Sequence, residues 1–104
     1  MENKIHYSPE ALQDLSDIGD YISMSLGNPQ AALKTLNSIL KDIDLLAANP
    51  KLGAPLSSIT ELISDYRFLL VNKYMVFYRE SNNNIFIDRI LYSRRNYLSV
   101  LLEQ

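Results

Sequence analysis

The chain has 104 residues, 47% of them hydrophobic and 21% charged, which predicts a single folded domain over residues 1–104 and argues against disorder. It has no cysteine, which excludes a disulfide framework and a thiolate nucleophile. It also has no run of about 18 apolar residues and no leader pattern, so we expect a cytoplasmic protein without a membrane segment.

The charges are divided unevenly along the chain. The net charge is −2 and the pI about 5.2. Residues 1–65 carry four Lys and nine Asp or Glu, whereas residues 66–104 carry six Lys or Arg and three Asp or Glu. The second half is therefore the half that can meet an anion, because such contacts depend on a local patch. The low overall pI argues against tight, sequence-independent binding to nucleic acid.

The first half predicts a short strand and a helical hairpin. Residues 4–7 have strand composition, and Ser8-Pro9 has the residues of a helix start, a serine cap followed by a proline that loses no hydrogen bond. Apolar residues then recur every three or four positions up to Gly27. A second start, Asn28-Pro29, opens a similar stripe that ends at Asn49-Pro50. Two helices with almost no loop between them should lie antiparallel.

The second half predicts a loop followed by three strands. Residues 50–58 are a predicted loop because of their turn residues. The β-rich runs are residues 66–71, 74–80 and 84–92, and the polar connections between them are short enough for an antiparallel meander. Asparagine in both connections suits turns that need positive φ.

Together these elements predict an α+β fold. It consists of an N-terminal strand and an antiparallel helical hairpin packed on a three- to four-stranded antiparallel sheet. The helices should cover one face of the sheet. Alternation along residues 66–71 leaves neither face wholly polar, so the open face suits docking of another chain.

Several short motifs follow one another over nearly the whole length. They are Tyr7-Ser8-Pro9-Glu10-Ala11, Ala47-Ala48-Asn49-Pro50 followed by Gly53, Tyr66-Arg67, Tyr74-Met75-Val76-Phe77-Tyr78, and Ile87-Asp88-Arg89-Ile90-Leu91-Tyr92 before Arg94-Arg95. Their order and spacing resemble the RelE/ParE family, the toxins of bacterial type II toxin-antitoxin pairs. The resemblance implies a helical hairpin on a three- or four-stranded antiparallel sheet, a toxin that arrests growth, and a hetero-oligomer with a cognate antitoxin that neutralises it.

The family has two activities, and each implies its own site residues. ParE-like members poison DNA gyrase, and here the candidate target-binding residues are Arg67, Arg79, Arg94, Arg95 and Tyr97. RelE-like members are metal-free nucleases that cut messenger RNA on the ribosome. Such cleavage needs proton transfer and neutralisation of the phosphorane charge, for which the candidates are Arg67, Arg89, Tyr92 and Arg95. No cofactor and no metal is expected in either case.

Three positions favour the ParE-like branch. Met75 stands where the nucleases commonly have arginine, Leu69 where a basic residue is usual, and Tyr92 where many members have histidine. A tyrosine acts as acid or base near neutral pH only with its pKa shifted by several units. The long hairpin, the basic C-terminal segment and the low pI also suit a protein-directed poison. A second alternative is an interaction module without toxicity.

The arginines and tyrosines also have structural interpretations. Arg79 beside Glu80 and Arg89 beside Asp88 suit cross-strand ion pairs. The tyrosines are common strand residues, and packing accounts for most of them.

The other polar candidates predict little chemistry. Asp14, Asp17 and Asp20 suit a solvated helix face better than a metal site. The single histidine, His6, suits a structural or surface role, and zinc is nearly excluded without cysteine or a second histidine.

Overall fold

The structure, a computed structural model, describes residues 2–59, 65–94 and 100–101. The helices and strands in chain order are β1 (Lys4–Tyr7), α1 (Pro9–Asp20), α2 (Pro29–Asp44), β2 (Ala54–Pro55), β3 (Arg67–Val71), β4 (Tyr74–Ser81) and β5 (Asn84–Tyr92). A π-helical turn, Tyr21–Ser25, extends α1, and 3-10 turns follow α2 and β2 at Leu45–Ala47 and Leu56–Ser58. The predicted α+β architecture is confirmed, and its four predicted strands begin and end within a residue of the observed bounds.

Both helices begin at the predicted caps. The Ser8 Oγ accepts from the Ala11 amide at 2.9 Å, and the Asn28 Oδ1 accepts from the Ala31 amide at 3.0 Å. The Ser8 hydroxyl also donates to the Asp88 carbonyl at 2.8 Å. The first cap therefore fixes the start of α1 against β5 as well as beginning the helix.

The sheet has five strands in the order β1-β5-β4-β3-β2. All pairs are antiparallel except β1 with β5, whose strands are separated in sequence by nearly the whole chain. The prediction of three or four strands missed β2, which lies in the segment predicted as a loop and pairs Ala54 with Phe68. A strand of two residues is too short to show an alternating pattern.

Asparagine takes positive φ in both strand connections, as expected. The φ angles are 55° at Asn72 in the β3–β4 turn, and 50° and 64° at Asn82 and Asn83 in the β4–β5 turn. These turns fix the antiparallel register of the three central strands.

Apolar side chains form a buried cluster on each face of the sheet. The helix-side cluster includes residues of both helices and of the central strands, among them Ala11, Ile39, Ile43, Val76, Tyr78 and Ile87. The open-side cluster consists of Leu56, Met75, Phe77, Leu91 and Leu101. The face predicted to be open is thus partly covered, by the 3-10 turn after β2 and by Leu101. In the described part of the chain, no helix is both long enough and apolar enough to cross a membrane.

Candidate functional site

Arg89 is held by a buried carboxylate of α1. Its Nε and Nη2 donate to the two oxygens of Asp14 at 2.7 and 2.8 Å, and the Ile90 amide donates to the same carboxylate at 2.9 Å. Asp14 is only 7% exposed. The hydrogen bond to Asp14 raises the pKa of Arg89 above its ordinary value, so the guanidinium stays charged.

The Asp14 carboxylate accepts a hydrogen bond from β5 at a point where β1 no longer pairs with it. β1 ends at Tyr7, paired with Ile87, so the edge of β5 beyond that point has no neighbouring strand. Ser8 and Asp14 satisfy backbone groups of Asp88 and Ile90 there. The predicted solvated face at Asp14 is therefore wrong, although Asp17 and Asp20 are exposed as expected.

Arg79 forms the cross-strand ion pair that its sequence position allows, with a different carboxylate. Its Nε donates to Asp88 at 2.8 Å, and its guanidinium lies 5.6 Å from the centre of the Tyr66 ring. A bulge next to Phe77 and Tyr78 leaves Asp88 as the extra residue of β5. The predicted cross-strand pair of Arg89 is wrong, because Arg89 binds Asp14 of the helix instead.

Tyr66 belongs to the same group of side chains. Burial raises its pKa first, and its hydrogen bond with Asp88 raises it further, because both favour the neutral phenol. The phenol therefore stays protonated beside Arg79 rather than acting as a base near neutral pH.

Arg67 fastens the loop before β2 to the sheet. Its Nε and Nη2 donate to the Gly53 carbonyl at 3.1 and 2.7 Å. The buried Tyr78 hydroxyl donates to the Pro50 carbonyl at 2.7 Å and accepts from the Gly53 amide at 3.0 Å. A Cβ at Gly53 would lie 2.5 Å from the Phe68 carbonyl oxygen, so glycine is required by close packing.

The remaining described candidates, Tyr92 and Arg94, lie with Lys73 at the end of the sheet formed by the β3–β4 turn. We call Lys73, Tyr92 and Arg94 the turn-end surface. All three are exposed, and the Ser93 amide donates to the Lys73 carbonyl at 2.8 Å, which ties the end of β5 to the turn. The Tyr92 ring lies 5.9 Å from that of Tyr74. Within the described ranges, neither Lys73 nor Arg94 forms an ion pair.

The structure separates the sequence-predicted site residues into two kinds. Arg67, Arg79 and Arg89 donate to acceptors of the protein itself, whereas Tyr92 and Arg94 face solvent. Arg95 was predicted for both target binding and catalysis, and Tyr97 for target binding alone. Both lie outside the described residues. Among residues 2–59, 65–94 and 100–101, no three side chains of His, Cys, Asp or Glu form a potential metal site.

Two residues that matter at these sites, Lys73 and Asp14, were not predicted from the sequence. Lys73 was not among the predicted site residues, although it lies exposed in the two-residue turn between β3 and β4. Asp14 was grouped with its acidic neighbours. Its signal was its place between apolar positions 11 and 15, on the side of α1 that packs toward the sheet.

The family model described as "ParE toxin of type II toxin-antitoxin system, parDE" matches residues 5–97 of the chain. The chain belongs to the ParE toxin family. This confirms the resemblance read from the motifs. As the toxin half of a two-protein system, the ParE family also supports a cognate antitoxin as a partner. No curated protein matches the sequence.

Two solved structures are similar to this ParE-family chain. One is a chain of the chromosomal ParDE TA system from P. aeruginosa, 24% identical, with a TM-score of 0.73 over 88% of this chain and 96% of that chain. The other is YafQ from E. coli strain BL21(DE3), 19% identical, with a TM-score of 0.50 over 88% and 93%. At these identities the similarity shows the fold, two helices on a mostly antiparallel sheet.

Proposed function

We propose that this ParE-family toxin arrests growth by poisoning DNA gyrase and that a cognate antitoxin neutralises it. The observation that carries the proposal is the engagement of Arg67 and Arg89. Both arginines are candidates to neutralise phosphate charge in a nuclease, and both instead donate hydrogen bonds to acceptors within the fold. Gyrase and ribosomes both work in the cytoplasm, so the toxin acts there.

Releasing Arg89 for chemistry has a high energetic cost. Breaking a buried ion pair costs about 3 to 5 kcal/mol, because it leaves an uncompensated buried charge, here the carboxylate of Asp14. A cleavage site pays no such cost when its arginines are free to meet the developing charge. Arg89 is therefore better suited to holding α1 against β5 than to catalysis.

In the gyrase proposal, the exposed residues contact gyrase. Arg94 meets gyrase directly, and Arg95 and Tyr97, which follow it in sequence, remain predicted contacts. Arg79 also remains a candidate, because its side chain is 48% exposed while paired with Asp88. Arg67 acts in the fold, and an effect of its substitution on toxicity would come through the loop that it holds.

Parallel assays of the two activities test the proposal. The purified protein is titrated into gyrase with relaxed plasmid, and separately into ribosomes translating a defined messenger RNA. We expect loss of supercoiling with accumulation of cleaved plasmid, and intact messenger RNA. Unchanged supercoiling at large molar excess, with cleaved messenger RNA, would instead establish the RelE-like nuclease.

Induced expression without antitoxin tests the remaining alternative. A toxin of either kind stops growth. Unimpaired growth of cells that contain folded protein would indicate an interaction module without toxicity.

A further inference from the structure

The turn-end surface carries positive charge that the fold itself does not use. Lys73 and Arg94 are exposed, and neither forms an ion pair in the described part of the chain. Both line one groove of about 470 Å³ on the open face of the sheet. None of the described residues that line this groove is Asp or Glu. The chemical complement of the groove is therefore an anion.

The polar residues around these two cations also have groups that donate hydrogen bonds. Asn72, Tyr92 and Ser93 line the same groove, so an amide, a phenol and a hydroxyl lie near the ammonium and the guanidinium. All five residue types are among those that donate to phosphate oxygens in protein–DNA complexes. The Ser93 amide is already used, because it donates to the Lys73 carbonyl. The side chains are therefore the groups available to a phosphate.

Charges on the helix side of the sheet determine the direction from which a polyanion approaches. Lys73 also lines the groove between the helical hairpin and the sheet, and Asp14 and Asp17 line it too. Arg89 neutralises Asp14, whereas Asp17 is exposed and forms no ion pair among the described residues. A polyanion is therefore repelled on the helix side of Lys73 and attracted on its open side.

We propose that Lys73 and Arg94 contact backbone phosphates of the DNA that gyrase holds, with the DNA on the open side of Lys73. This proposal rests on the gyrase function proposed above, which supplies a polyanion next to the protein. Each DNA strand presents a phosphate about every 3.4 Å along the helix axis, so one strand can meet both cations. Arg94 then lies where gyrase and its DNA meet, and it contacts both.

The charge of the whole protein limits this contact to the complex with gyrase. The net charge is −2, and residues 1–65 carry nine Asp or Glu against four Lys. A few phosphate contacts on an acidic protein give only weak, salt-sensitive binding, so we expect no measurable binding to free duplex at physiological salt. Gyrase has to hold the protein beside the DNA, and the phosphate contact then adds to the affinity.

The absence of cysteine allows the contact to be mapped with single-cysteine variants. Ser93→Cys carries a photo-crosslinking label in the groove of Lys73 and Arg94, and Ser16→Cys carries it at an exposed position of α1 outside that groove. Each labelled protein is irradiated with gyrase and an end-labelled duplex that gyrase cleaves. We expect DNA adducts from Ser93→Cys alone, and only with gyrase present. No DNA adduct from Ser93→Cys, equal adducts from both variants, or the same yield without gyrase would overturn the proposal.

Uncharged phosphate analogues test whether Lys73 itself makes the contact. Single methylphosphonates are placed one at a time along the duplex, and the toxin concentration that gives half-maximal cleaved DNA is measured. At one position or more, the native chain should need about fivefold more protein, and Lys73→Met should show that loss on unmodified DNA with no further loss there. Lys34→Met, which changes an exposed lysine outside both grooves, should behave as the native chain. Native potency of Lys73→Met, or additive losses at every position, would contradict the proposal.

Supercoiling by gyrase with the native chain, measured beside these tests, separates this proposal from the proposed function. Inhibition by the native chain without DNA adducts would remove the DNA contact and leave the gyrase function standing. No inhibition by the native chain would remove both. Urea unfolding of each variant should match the native chain, because the substituted side chains are exposed or half-buried.

Discussion

The α1 side of the sheet and its turn end use positive charge in opposite ways. On the α1 side, Arg89 donates to a carboxylate that is 7% exposed and also holds a backbone amide. At the turn end, Lys73 and Arg94 face solvent with no ion-pair partner among the described residues. An arginine of this protein is held in the fold or left exposed according to the acceptors around it. The residue type alone does not determine which of the two applies.

Asp14→Ala is expected to cause the largest loss of stability. The substitution leaves Arg89 without its partner and the Ile90 amide without its acceptor. Because Arg89 keeps some access to water, we expect a loss of about 3 kcal/mol in the free energy of unfolding, the lower end for a buried pair. Urea denaturation measures it.

Asp17→Ala is the matched control for Asp14→Ala. Asp17 lies one turn later on the same helix and is exposed, and among the described residues its side chain accepts a hydrogen bond only from Gln13, at 2.9 Å. Its removal should change stability by no more than about 0.5 kcal/mol. Equal losses of unfolding free energy for the two variants would mean that the Asp14–Arg89 pair stabilises the fold no more than an exposed carboxylate does.

Gly53→Ala should have the next largest effect. The added Cβ would lie 2.5 Å from the Phe68 carbonyl and 2.7 Å from the Tyr78 hydroxyl, so the loop or the sheet has to move. Overpacking of this kind costs about 1 to 3 kcal/mol. Thermal unfolding measures the loss, and a native-like melting temperature would show that the contact is easily relieved.

The effect of Arg67→Met sharpens the distinction between structural and recognition arginines. It removes charged hydrogen bonds to the Gly53 carbonyl, which accepts at 2.7 and 3.1 Å, and should cost about 1.5 kcal/mol. At a temperature where the variant is folded, the gyrase proposal expects supercoiling inhibition within about threefold of the native chain, since a factor of three is a fraction of 1 kcal/mol. Loss of inhibition in a fully folded variant would return Arg67 to the target-binding residues.

Arg79→Met should have a smaller effect on stability than Arg67→Met. Its ion pair with Asp88 is half exposed on the arginine side, and such pairs contribute about 0 to 1 kcal/mol. High salt should reduce the difference between native and variant proteins further. A loss well above 1 kcal/mol in urea unfolding would show that the contact with the Tyr66 ring contributes more than the ion pair.

Local signals predicted most of the fold. Ser8 and Asn28 marked both helix starts because a capping side chain acts on amides three residues away. Asn72 marked a turn because its conformation is a local property. β2 and the pairing of Arg89 with Asp14 were not predictable in this way. The first is two residues long, and the second joins residues 75 positions apart in sequence, which only the tertiary fold brings together.

The candidate site was less predictable than the fold. The family resemblance correctly gave the toxin class, which the ParE family model confirms over residues 5–97. Which arginines are free depends on tertiary acceptors. The Gly53 carbonyl reaches Arg67, and the bulged Asp88 reaches Arg79, through a strand register that sequence does not reveal.

Gyrase supercoiling by the native chain and by Arg94→Glu is the measurement that tests the account most directly. We expect the native chain to abolish supercoiling and accumulate cleaved plasmid, and Arg94→Glu to require at least tenfold more protein, whereas Lys34→Glu behaves as the native chain. Unchanged supercoiling with a large excess of native protein would contradict the gyrase proposal. Equal inhibition by native protein and Arg94→Glu would contradict the assignment of recognition to the turn end of the sheet.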